Sequence, residues 1–99
     1  MATDRRYRLS PAAVRDLGRI WHHTVRLWSS EQAEIYQDNL AAAFEGLASG
    51  TRKGRSVGVK NGIYLKCAVG AHMVYFREVG PEIIIVRVLH SRMDAVRHL

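Results

Sequence analysis

His72, Tyr75, His90 and His98 are the side chains of this sequence best suited to carry a proton, and Lys53, Arg55, Lys66 and Arg77 supply cations in the same half of the chain. Together they have the parts for metal-independent cleavage of a phosphodiester. That chemistry needs a base to activate a 2′-hydroxyl, an acid for the leaving oxygen and cations for the developing phosphate charge. His90 is the best placed, because histidine titrates near neutral pH and this one ends the most apolar run of the chain. A plainer reading stands beside each residue. His90 can bond the backbone at a strand end, Asp94 can cap a helical turn over Ala95–Leu99, and His72 can be a cross-strand polar residue. Met93 reads as a core filler. His22 and His23 are neighbours on a helix and point about 100° apart, which is wrong for chelation. No pair of His, Cys or carboxylate residues has a convincing zinc spacing, so neither a metal nor another cofactor is expected.

The element that must position these groups is the last strand. From Glu82 the sequence reads EIIIVRVLHSRMDAVRHL, opening on four β-branched residues, Ile83 to Val86. Such a run fits a strand covered on both faces better than a helix. It then delivers His90, Ser91, Arg92, Asp94, Arg97 and His98 to one end of a sheet. Upstream, Arg6–Leu9 is a short candidate strand, and Ser10-Pro11 is a strong helix start. Val14, Leu17, Trp21, Thr24 and Trp28 recur at helical spacing, flanked by Ile20 and Leu27, and are the expected buried stripe of a first helix. Gly18 inside it suggests a close helix contact, and Arg15, Arg19, His22 and Arg26 form a basic, solvent-facing stripe.

Ser29-Ser30 separates this helix from a second, whose buried stripe is Ala33, Tyr36, Leu40, Ala43, Phe44 and Leu47. Glu31, Glu34, Asp38 and Glu45 make its polar face. So short a connection folds the helices into an antiparallel hairpin. Ser49–Gly62 reads as a loop, with Asn61-Gly62 as the turn into the next strand. Ile63–Val69, His72–Val79 and the final run then form a three-stranded antiparallel meander. The apolar last strand belongs inside the sheet, flanked by the N-terminal strand. The predicted class is α+β, a short strand, a helical hairpin over one sheet face, a meander and a short tail.

The chain of 99 residues fits a single domain. It has 47% apolar residues, no run near the length of a membrane span and no secretory leader pattern at Met1–Arg6. Cys67 stands alone as a small core residue, consistent with a cytoplasmic protein. The net charge of +6 is concentrated. Between Gly46 and Arg77 lie six basic residues and no acidic one, while the remainder balances at nine of each. That field favours an anionic partner, either nucleic acid or an acidic protein.

The order of elements and three stretches, YRLSPAAVRDLGRIW, GIYLKCAVGAHMVYFR and RVLHSRMDAVRHL, resemble the RelE/ParE superfamily of type II toxin–antitoxin toxins, and within it the ParE branch. The resemblance covers nearly the whole chain. RelE-like members are ribosome-dependent messenger-RNA endoribonucleases. ParE-like members are described as DNA gyrase poisons. Leu89, His90, Arg92 and Asp94 match the ParE pattern of leucine, histidine, any residue, arginine, a variable residue, aspartate, and no tyrosine follows His90. The resemblance therefore implies a gyrase poison with no catalytic residue, not an enzyme. A ribonuclease and an inactive homologue are the alternatives.

The resemblance also implies a ParD-like antitoxin, with a ribbon–helix–helix N-terminus and an acidic tail, as the hetero-oligomeric partner in plasmid or chromosome maintenance. Operator DNA would be met only through that antitoxin, and no membrane is involved. Contacts with antitoxin are expected in the groove beside the hairpin and on the sheet edge. Candidate contacts with target or antitoxin are Arg52, Lys53, Arg55, Lys66, Arg77, His90, Arg92, Asp94 and Arg97.

Overall fold

Ser10 ties together the first strand, the first helix and the last strand. In the computed structural model, which describes residues 5–58 and 63–99, its amide donates to the Ile85 carbonyl at 2.9 Å. Its hydroxyl donates to the Val86 carbonyl at 2.7 Å and accepts from the Ala13 amide at 3.0 Å, capping α1 (Pro11–Leu27). These bonds hold β1 (Arg6–Leu9) parallel to β5 (Glu82–His90), with Tyr7 opposite Ile83 and Leu9 opposite Ile85. Ser10→Ala removes the cap and the strand bond together. We expect it to cost about 1–2 kcal/mol, which thermal unfolding followed by circular dichroism would read as a melting point lower by roughly 4–16 °C.

Helix α2 (Ser30–Ser49) follows after Trp28 and Ser29, whose hydroxyl caps it by accepting the Gln32 amide. β3 (Leu65–Val69), β4 (His72–Val79) and β5 then run antiparallel to one another as the meander expected. The sheet order is β1-β5-β4-β3-β2, with β2 at Arg55–Ser56, so the last strand is interior and β1 flanks it.

Three expectations about the sheet need correction. The stretch read as loop contains β2 (Arg55–Ser56), which pairs antiparallel with β3 at the far edge. The sheet thus has five strands, and Val57 extends the pairing by donating to the Tyr64 carbonyl. A two-residue strand leaves no alternation to read. β3 begins at Leu65 rather than Ile63, and the Asn61-Gly62 turn lies outside the described residues. Finally, β5 is not covered equally on both faces. Ile83 and Ile85 are fully buried in the core with Val74, Phe76, Leu40 and Phe44, whereas Ile84 and Val86 on the other face are half-buried.

A bulge explains why the pattern of β5 hid this. Tyr75 lies opposite Arg87 but Phe76 lies opposite Ile85, so Val86 is an extra residue on β5. The alternation shifts by one there. Val88 enters the core and Arg87 is re-aimed.

Helix α2 buries Ala33, Leu40, Ala43, Phe44 and Leu47, with Tyr36 half-buried, as its spacing predicted. Helix α1 is turned from the predicted stripe. Its buried residues are Ala13, Asp16 and Ile20, with Leu17 packed beside them, while Val14, Leu27 and Trp28 are exposed. The reason is Asp16, a carboxylate that the fold puts inside. Gly18 makes no close helix contact, since a β-carbon there would meet nothing within 4 Å. Met93 is exposed rather than a core filler, because it sits in the turn after β5 where its amide donates to the His90 carbonyl.

Candidate functional site

The tip of the helical hairpin, the β3–β4 turn and the end of β5 enclose a cleft. Two adjoining cavities of about 530 and 480 Å³ share His23, His72 and His90 in their walls. His72 on β4 and His90 on β5 are direct cross-strand partners. Their ring centroids are 5.6 Å apart and nearly perpendicular.

Tyr36 of α2 anchors this end of the sheet. Its hydroxyl accepts the Ala71 amide at 3.1 Å and lies 2.6 Å from His72 Nδ1, with the Val69 carbonyl at 3.3 Å. The hydroxyl has one proton, which it can give to the Val69 carbonyl while His72 Nδ1–H donates to its oxygen, or to His72 Nδ1 in the other tautomer. Gly70 permits the approach. It has a φ of 55°, and a β-carbon there would lie 2.8 Å from two atoms of the Tyr36 ring and hydroxyl. His90 is oriented from the other side, its Nδ1 accepting the Arg92 amide at 3.2 Å. The floor is Asp16, 2% exposed. It accepts two bonds from the Arg87 guanidinium at 2.8 Å and one from the Val88 amide at 2.9 Å, and pairs with Arg19. Arg87 also donates to the His98 carbonyl at 3.2 Å, which fastens the C-terminal segment to the same point.

The ionisation of these groups follows their surroundings. Burial alone would raise the Asp16 carboxyl, but the Arg87 bonds, the Val88 amide and the charges of Arg87 and Arg19 more than reverse it and hold it below the usual carboxylate range. Hydrogen bonding to Asp16 raises the Arg87 guanidinium in return. Burial, with His90 and His23 beside it, pushes His72 below the ordinary histidine range. Burial raises the phenols of Tyr36 and Tyr75.

The rim is apolar. Leu27 and Trp28 line it at the hairpin tip, with Trp28 76% exposed. Scattered exposed apolar residues need no explanation, but two neighbours lining a cleft suit a contact surface.

The residues singled out in the sequence are dispersed over the fold. Arg55 lies opposite Lys66 at the β2 edge, and Lys66 lies opposite Tyr75. Arg52 donates to the Ala68 carbonyl at 3.3 Å, and Lys53 is exposed beside it. Arg77 lies opposite Ile84, toward the other end of β4 from His72. Arg77 and His72 are five residues apart along β4, or about 17 Å at the rise of a strand. Of the groups that could cleave RNA, His72 lies beside His90 but Arg77 does not, and Tyr75 is buried. Asp94 caps a short 3-10 turn, Ala95–Arg97, by accepting the Val96 amide, and Arg92 and Arg97 are exposed around it.

Sequence reading missed Asp16, Tyr36 as an anchor, and the exposed tip. A signal for the first was present. Asp16 falls between Ala13 and Ile20 at helical spacing, and Arg87 is the one cation inside the apolar run Ile83–Leu89.

Among the described residues no group of three or more metal-ligating side chains is assembled, and no helix is long and apolar enough to cross a membrane. Residues 7–95 match the family model described as ParE toxin of type II toxin-antitoxin system, parDE. The chain is 41% identical over 95 residues to Toxin ParE1 of Mycobacterium tuberculosis, covering 95% of this chain and 97% of that protein. It is 40% identical over 93 residues to Toxin ParE1 of Caulobacter vibrioides, covering 94% and 96%. Its fold is similar to a chain of the chromosomal ParDE system from P. aeruginosa, with a TM-score of 0.76, 22% identity and coverage of 90% and 98%. It is also similar to a chain of the RelBE2 toxin–antitoxin complex from Mycobacterium tuberculosis, with a TM-score of 0.60, 16% identity and coverage of 88% and 98%.

Proposed function

Because the chain belongs to the ParE toxin family of type II toxin–antitoxin systems, we propose that it poisons DNA gyrase in the cytoplasm and is neutralised there by a ParD-like antitoxin. The observation that carries this is the family match over residues 7–95, which takes in the helical hairpin, the sheet and the turn at Asp94 together. In this reading the toxin has no active site and acts by binding. The separation of Arg77 from His90 supports it, since proton transfer and phosphate stabilisation need their groups around one reacting centre.

The antitoxin occupies the cleft at the hairpin tip. Exposed Leu27 and Trp28 give it an apolar anchor, and the basic excess of the chain suits an acidic segment that folds as it binds. Arg92 and Arg97, exposed on the C-terminal segment, meet the target. The experiment is induction of the toxin in bacterial cells with and without the antitoxin encoded beside it, while DNA and protein synthesis are labelled separately. DNA synthesis should stop first, growth should recover with antitoxin, and an Arg92→Ala/Arg97→Ala variant should be tolerated while still binding antitoxin. Arrest of protein synthesis with intact DNA synthesis would overturn the reading.

A further inference from the structure

The tautomers of the two facing histidines depend on the backbone and on Tyr36. His90 Nδ1 accepts the Arg92 amide, so that ring carries its proton on Nε2, and His72 does the same in the tautomer whose Nδ1 accepts the Tyr36 hydroxyl. Neither Nε2 has a partner among the described residues, and both rings line the cleft. The two rings stand on cross-strand partners in one cleft, and an arriving acceptor selects the His72 tautomer in which both offer an Nε2–H donor. Arg26 lines the same space and has no ion-pair partner among the described residues, and the one acid in the wall, Asp16, is already held by Arg87, Arg19 and the Val88 amide. Donors with no acceptor, in a basic cleft, call for an oxyanion.

From this we infer that His72 and His90 form a carboxylate-reading pair that receives an acidic side chain of the antitoxin. The inference rests on the antitoxin reading above and names the chemistry of its central contact. A peptide fits better than a nucleic-acid phosphate. The donors are flanked by Ile20, Val88 and Leu89 inside the cleft and by Leu27 and Trp28 at its rim, which suits an acidic residue with apolar neighbours.

The pair also makes binding depend on pH. The groups facing His72 are His23 and Asp16 from α1, Tyr36 from α2 and His90 from β5, while Arg19, His22 and Arg26 line the rest of the cleft. In the free toxin, burial and the two neighbouring histidines favour the neutral form of His72 against the pull of Asp16. An arriving carboxylate reverses the balance and favours the imidazolium, so association takes up a proton. Affinity then rises as pH falls, by up to about tenfold per unit for one proton. The site accommodates both states. When His72 Nδ1 is protonated it donates to the Tyr36 oxygen, and the Tyr36 proton turns to the Val69 carbonyl at 3.3 Å.

Calorimetric titration of the whole toxin with the antitoxin encoded beside it tests this. The variants are His72→Asn and His90→Asn, whose side-chain oxygen can replace Nδ1 as acceptor while the cleft-facing N–H is lost. Each should weaken binding about tenfold near pH 6. Wild-type affinity should fall about tenfold between about pH 6 and about pH 8, with proton uptake seen as a dependence on buffer ionisation heat, and His72→Asn should flatten that profile. His90 is exposed, so its variant and the wild-type profile decide the matter if His72→Asn fails to fold. Tight wild-type binding that neither variant nor pH alters would overturn the inference and leave the antitoxin reading standing. No wild-type binding would overturn both. If the variants instead lose affinity for a single-stranded RNA oligonucleotide with antitoxin binding unchanged, the pair serves phosphate and the inference is wrong.

Discussion

Asp16→Ala should lower stability by about 3 kcal/mol, because it breaks a buried ion pair by removing one partner. The carboxylate is 2% exposed and holds three structures at once. Through the Val88 amide and the Arg87 guanidinium it fixes α1 to β5, and through the Arg87 bond to the His98 carbonyl it fixes the C-terminal segment. Arg19, whose side chain is 66% exposed, adds little. A loss of this size in a chain of 99 residues corresponds to a melting point lower by roughly 12–24 °C. Arg87→Ala should cost a similar amount, since it leaves a buried carboxylate short of its partner. The double variant should cost far less than the two together, because the second change removes a charge already orphaned by the first. Additive losses would show that the pair is not coupled.

The acid limb carries the same signature. The folded-state carboxyl of Asp16 is depressed, so its contribution is present above the unfolded value near 4 and is lost as pH falls through the folded one. Asp16→Asn should be less stable than wild type near neutrality, and the gap should narrow below about pH 4. A gap that widens there would contradict the assigned direction.

Gly54→Ala should cost about 2 kcal/mol by overpacking. A β-carbon at this position would lie 2.6 Å from Phe76 Cε1, closer still to Cζ, and 3.2 Å from the Lys66 carbonyl. Phe76 is a core residue, so its ring has little room to yield. The glycine lets the basic stretch from Arg52 to Arg55 lie directly on the core before β2 begins. Phe76→Leu in the Gly54→Ala background should recover part of the loss, although Phe76→Leu alone destabilises. Urea unfolding of the four proteins would measure this. If the second change made matters worse by its full single-variant cost, the steric account would be wrong.

These two residues show where the sequence was legible and where it was not. The helices, the meander and the place of β1 beside β5 could be read because periodicity and caps act locally, as at Ser10-Pro11 and Ser29-Ser30. The turn role of Asp94 and the backbone bond of His90 were legible for the same reason. The orientation of α1 was not, because it depends on Asp16 meeting Arg87, 71 residues away. Gly54 reads in sequence as one more loop glycine, and only the position of Phe76 across the sheet explains it. The cleft was half visible. His72 and His90 could be named, but their facing arrangement depends on strand register, and the anchoring role of Tyr36 depends on the approach that Gly70 allows. Trp28 was expected inside because helical spacing cannot tell a core face from a docking face.

The most direct measurement is gyrase-driven supercoiling of relaxed plasmid with the purified toxin, scoring linear cleaved DNA on the same gel and running translating ribosomes with messenger RNA in parallel. The account predicts that supercoiling falls, that cleaved DNA accumulates, and that both effects disappear when antitoxin is added first. Untouched gyrase activity together with cut messenger RNA would contradict it.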